Sequence, residues 1–124
     1  MYHRQMEAYQ DIQKSSMSDR GLEASVLTRA AHKLMDCRTN WDERNMTKLN
    51  KALKYNQMVW SIFQGDLVRE DNQLPKNLKM SLLKLSAFID QRIFEIMAYP
   101  SPDKLTIIVN INLNIAAGLR SKTQ

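Results

Sequence analysis

The sequence has a single cysteine, Cys37, so no disulfide can close within the chain. That fits a reducing compartment and excludes a small disulfide scaffold. Glycine and proline are scarce, at three residues each. Sandwiches and barrels need many tight turns, so this scarcity points to an all-α protein. No apolar run approaches the roughly 18 residues of a transmembrane helix, and no membrane insertion is expected. The opening residues Tyr2, His3 and Arg4 are polar. They do not read as a secretory signal, and a cytoplasmic protein is the expectation.

Catalytic chemistry is equally thin. The two histidines, His3 and His32, lie far apart, and no Cys/His spacing suggests zinc. Cys37 has no neighbour that marks a nucleophile, so it reads as a small hydrophobe. There is no glycine-rich phosphate loop and no Gly-x-Ser-x-Gly elbow. Neither an enzyme nor a cofactor is expected.

What remains is an ordinary globular composition. The 124 residues are 44% hydrophobic and 25% charged. That length supports one domain over residues 1–124. The net charge is +5. Residues 1–47 balance, so the basic excess lies further along. Lys48, Lys51 and Lys54 recur every three residues near one helical face. A solvated face is the ordinary reading. A phosphate-facing stripe for RNA is the alternative.

Hydrophobic periodicity predicts a compact bundle of about five helices. The first covers about Gln5–Lys14, with Met6, Tyr9 and Ile12. Ser16 or Asp19 can cap the second, Arg20–Cys37, whose stripe includes Leu22, Val26, Leu27, Ala30, Ala31 and Leu34. Asp42 or Thr47 can cap the third. Its stripe runs from Leu49 through Leu53, Val59 and Trp60 to Phe63, and it stops near Gly65. Pro75 at the first helical position opens the fourth. Its stripe is Leu78, Leu82, Leu85, Ile89, Ile93 and Ile96, and Pro100 forces its end. Residues 105–115 alternate like a strand yet also match a helix. Helix is preferred, because Ser101-Pro102-Asp103 is a helix start and no second strand exists to pair with.

Two of these helices are apolar on more than one side. The third adds Tyr55, Met58 and Ile62; the fourth adds Met80, Leu83, Ala87 and Phe94. Such a helix is either central or covered by a partner, and central burial is preferred in so small a domain. Tyr55, Met58, Ile62, Met80 and Leu83 are the candidate partner-binding residues. The eight methionines suit a surface that accepts another helix.

Three spaced motifs then become recognisable together. They are Leu49-x-x-Ala52-Leu53-x-x-Asn56-x-x-Val59-Trp60, Asn72-x-Leu74-Pro75-x-x-Leu78, and Ile111-Asn112-x-Asn114-Ile115-x-x-Gly118-Leu119. Their order and spacing resembles the bacterial flagellar biosynthesis regulator FlaF family across nearly the whole chain. Gln57, Val59 and Lys79 depart from residues common in that family. The resemblance implies a helical cytoplasmic protein without catalysis. It implies flagellin binding before export, and post-transcriptional control of flagellin synthesis alongside a second regulator, FlbT. The motif residues Asn56, Trp60, Asn72, Leu74, Pro75, Asn112 and Gly118 read as mainly structural. Trp60 is expected as a core anchor, and Asn56 as a buried polar group bonded to the 64–74 linker. Asn72 is expected to bond turn amides. Gly118 is expected at a close helix approach or a helix end. The rival readings are an RNA-contacting regulator using Lys48, Lys51 and Lys54, and an adaptor bound to FlbT.

Overall fold

A computed structural model describes residues 20–122. The expected first helix, Gln5–Lys14, and the caps Ser16 and Asp19 lie outside the described residues. Four α-helices follow in order: α1 Arg20–Thr39, α2 Thr47–Leu67, α3 Lys76–Ala98 and α4 Thr106–Lys122. A 3-10 turn, Pro102–Leu105, leads into α4. No strand occurs among the described residues. None of these helices is long and apolar enough to cross a membrane.

The ambiguous 105–115 segment is helix. Pro102 sits at the start of the 3-10 turn with Asp103 beside it, and Lys104 N–H bonds Ser101 O at 3.2 Å. This tight turn nucleates α4. Apolar residues then recur at helical spacing: Leu105, Ile108, Val109, Ala116 and Leu119 are all buried.

α1 and α4 pack antiparallel and form the closest pair. Ala24, Ala30 and Ala31 line the buried side of α1, where small side chains admit a near neighbour. Arg38 near the end of α1 bonds Thr106 Oγ1 at the start of α4, and Arg120 bonds Thr28 Oγ1 at the opposite end. α2 lies against α1 and carries the two largest fully buried side chains, Trp60 and Tyr55. α2 is central, as expected.

α3 is not central. It packs mainly on α2, through Leu82, Ser86, Ile89, Ile93 and Ile96, and touches the 3-10 turn. The preferred reading of central burial is therefore corrected for this helix. Four helices cannot all be enclosed, and α3 falls at the edge.

Two boundaries also move. α2 continues through Gly65 to Leu67, because Gly65 is tolerated inside the helix. Pro75 precedes α3 instead of opening it. Its ψ of 144° is extended, and its carbonyl accepts the bond from Lys79 N–H at 3.0 Å.

Candidate functional site

The motif residues assemble inside the bundle. Trp60 Nε1–H donates to Asn112 Oδ1 at 2.9 Å. Asn112 Nδ2 donates to Asn56 Oδ1 at 2.6 Å. Asn56 Nδ2 donates to the Ala30 and Ala52 carbonyl oxygens at 3.2 and 3.0 Å. Asn56 and Asn112 are both fully buried. One polar chain thus ties α4 to α2 and α2 to α1. A buried amide must find partners, and these side chains are partnered by each other. Asn56 does not reach the 64–74 linker as expected, because it points toward α1 from the middle of α2 and not from its end.

Asn72 knits the linker. Its Nδ2 donates to Asp66 O and Oδ2, both at 3.1 Å, and its Oδ1 accepts from Leu74 N–H at 3.0 Å. This closes the turn between α2 and α3 ahead of Pro75. Leu74 is half-buried beside a small apolar hollow at that end of the bundle, bordered also by Trp60, Phe63 and Leu82. Gly118 is exposed within α4, and a Cβ there would meet nothing within 4 Å. The expectation of a close approach or a helix end at Gly118 is corrected, since α4 runs on to Lys122.

The five candidate partner residues do not form one surface. Tyr55 is fully buried, with the Lys33 ammonium 4.9 Å above its ring. It belongs to the core, because α1 covers that side of α2. Met58 and Ile62 are half-buried and pack against the core. Met80 and Leu83 lie on α3, where Met80 is 50% exposed and Leu83 is half-buried. α3 turns its Leu82–Ile89–Ile96 face to the bundle, so Met80 points away from α2. The candidates thus range from fully buried to half-exposed.

Exposed apolar side chains recur along α3. Met80, Ala87 and Phe94 are spaced seven residues apart and therefore share one face. Phe94 is 75% exposed. Met97 and Tyr99 extend the exposed apolar surface at the C-terminal end. Phe94 was visible in the sequence as an off-stripe apolar residue. Only the edge position of α3 makes it a surface residue.

The lysine stripe is partly engaged. Lys48 forms an ion pair with Asp36 on α1. That contact, with Asn40, holds the Asp36 carboxyl below the usual carboxylate range. Lys48 is exposed, and Lys51 and Lys54 are half-buried. Among the described residues, no group of three His, Cys, Asp or Glu side chains could hold a metal ion.

No curated protein and no solved structure matches this chain. A family model described as flagellar protein FlaF matches residues 5–119. That span includes α1–α3, the Asn56–Trp60–Asn112 network and α4 as far as Leu119. The chain therefore belongs to the flagellar protein FlaF family, whose role lies in flagellar biogenesis.

Proposed function

We propose that this FlaF protein binds unassembled flagellin as a secretion chaperone in the cytoplasm, and that its occupancy tunes flagellin synthesis after transcription. The observation that supports this is Phe94, three-quarters exposed and in line with Met80 and Ala87, which are also exposed among the described residues. Small soluble domains seldom leave large side chains aligned in solvent without a partner. In this reading flagellin's terminal segments supply a helix that would otherwise associate prematurely. An amphipathic helix lying along α3 would bury Phe94, Met80 and Leu83 together, the helix-in-groove mode of recognition. Each large side chain so covered contributes on the order of 1.5–3 kcal/mol.

The regulatory limb follows from occupancy. Free and flagellin-loaded protein differ in whether α3 is exposed, so a second protein such as FlbT can read that difference. The RNA reading is weaker, because the first lysine of its stripe is paired with Asp36.

Calorimetric titration with soluble flagellin at two salt concentrations, without FlbT, tests the proposal. Binding that tolerates salt and shows a negative heat-capacity change is expected. Phe94→Glu should weaken it at least about tenfold, a change of about 1.4 kcal/mol. Absence of heat and of co-elution would remove direct binding and leave FlbT or the transcript as the partner.

A further inference from the structure

A cavity of about 150 Å³ opens beside the loop between α1 and α2, at the end of the bundle away from the Leu74 hollow. Met46 and Leu49 supply apolar wall, and Asn40, Trp41, Asp42 and Lys48 line it as well. The C-terminal end of α1 and the first turn of α2 flank it together, so their opposite end charges offset one another.

The polar groups of this cavity are unevenly committed. Lys48 is bound by Asp36. Asp42 is in no ion pair among the described residues. Its Oδ1 accepts from Arg44 N–H at 3.0 Å, which holds the carboxylate in place and leaves Oδ2 open. Asn40 Nδ2 donates to Asp36 O at 3.3 Å and to Asp36 Oδ1 at 2.7 Å. That fixes the amide and leaves Asn40 Oδ1 open as an acceptor. Trp41 is half-buried and packs against the core, which holds its ring as a wall. The donors left open, Trp41 Nε1–H and Asn45 Nδ2, are neutral. The one uncompensated full charge on the wall is therefore negative.

We propose that this cavity receives an arginine side chain of a partner polypeptide, its guanidinium against Trp41 and its donors on Asp42 and Asn40. The argument is charge complementarity joined to shape. A guanidinium carries five donors and no acceptor, and it stacks on aromatic faces. A cavity of roughly 150 Å³ takes a benzene ring, so a guanidinium plane fits. An acidic side chain would meet the Asp42 carboxylate. A wholly apolar one would take water from that carboxylate without a counterion. The site uses no residue of α3, so it stands apart from the flagellin reading.

The test titrates the full chain with a capped glycine-arginine-glycine peptide and with its citrulline, lysine and glutamate twins. The Trp41 indole N–H signal is followed by NMR. The arginine peptide should shift that signal saturably. The citrulline twin has the same shape without the charge, and it should bind at least about fivefold more weakly, a gap of about 1 kcal/mol. The lysine twin should also bind more weakly, because an ammonium has no plane to stack. Asp42→Asn should bring the arginine and citrulline peptides level. Asp42 is exposed, so circular dichroism should stay unchanged in that variant. Equal binding of the citrulline or lysine twin, tighter binding of the glutamate twin, or no saturable shift overturns the proposal. An arginine preference that survives Asp42→Asn overturns it too. Tighter binding of free arginine than of the capped peptide would overturn the polypeptide source.

Discussion

Trp60 and Asn112 meet through a 2.9 Å hydrogen bond across 52 residues of sequence. This contact joins the middle of α2 to the middle of α4 inside the core. Asn112 passes the connection on to Asn56, and Asn56 to the Ala30 carbonyl. No link in this chain is replaceable by an apolar residue alone, because each deletion strands a buried polar partner. Asn112→Leu leaves Trp60 Nε1–H and Asn56 Oδ1 unsatisfied. It should cost about 2–6 kcal/mol, at about 1–3 kcal/mol for each stranded group. Trp60→Phe strands only Asn112 Oδ1 and should cost less. Urea denaturation of the two variants checks the order. Equal stability of Asn112→Leu and the parent would show that the network carries no weight.

Gly118 gives a prediction of opposite sign. It lies inside α4 with open space where a Cβ would go. Gly118→Ala should stabilise the protein by about 0.5–1 kcal/mol, because alanine restricts the unfolded chain and favours helix. Thermal melting checks this. A loss of stability would mean that another chain segment approaches the glycine closely.

Asp90 links stability to pH. Its folded pKa is raised by burial, so the folded state holds this proton more readily than the unfolded state. Stability from this group therefore falls as pH rises from the unfolded pKa to the folded one, and the penalty is full above both. Asp90→Asn should raise the melting temperature at pH 7. The gain should vanish at about pH 3, below the ordinary carboxylate range. Asp36 and Asp71, lowered by Lys48 and Arg69, have the opposite sign, yet both lie at the surface where pairing contributes little. A pH-independent gain would assign the effect to packing and not to charge.

Tyr55 and Phe94 should respond oppositely to a buried-charge substitution. Tyr55→Glu places a carboxylate in the core and should unfold the protein, seen as loss of helical circular dichroism. Phe94→Glu should leave the spectrum intact and change stability by no more than about 0.5 kcal/mol, as surface substitutions do. Unfolding of Phe94→Glu would place α3's outer side against a covering element.

Much of the fold was legible because helical periodicity reports burial directly. The Leu78–Ile96 stripe of α3 and the Leu49–Phe63 stripe of α2 follow from spacing alone. The 105–115 helix was legible only through its flanks, since Ser101-Pro102-Asp103 starts a helix while the alternation imitates a strand. The candidate site was less legible. Tyr55 and Phe94 both read as off-stripe aromatics on doubly apolar helices, yet one is core and the other solvent-facing. What separates them is which neighbour packs where, a property of the assembled bundle and not of either helix. The same limit hid the partners of Asn56. Its amide had to be satisfied, but nothing local identifies a residue 56 positions away as its partner.

The central claim is that a flagellin helix covers the outer side of α3. It is tested most directly by placing a photo-crosslinking amino acid at Phe94 or at Ile62 in the full chain and irradiating each with soluble flagellin. The account predicts an efficient crosslink from position 94 and little or none from position 62, with the position-94 product suppressed by excess unlabelled protein. Crosslinking from position 62 alone, or from neither position while calorimetry still detects binding, would contradict it.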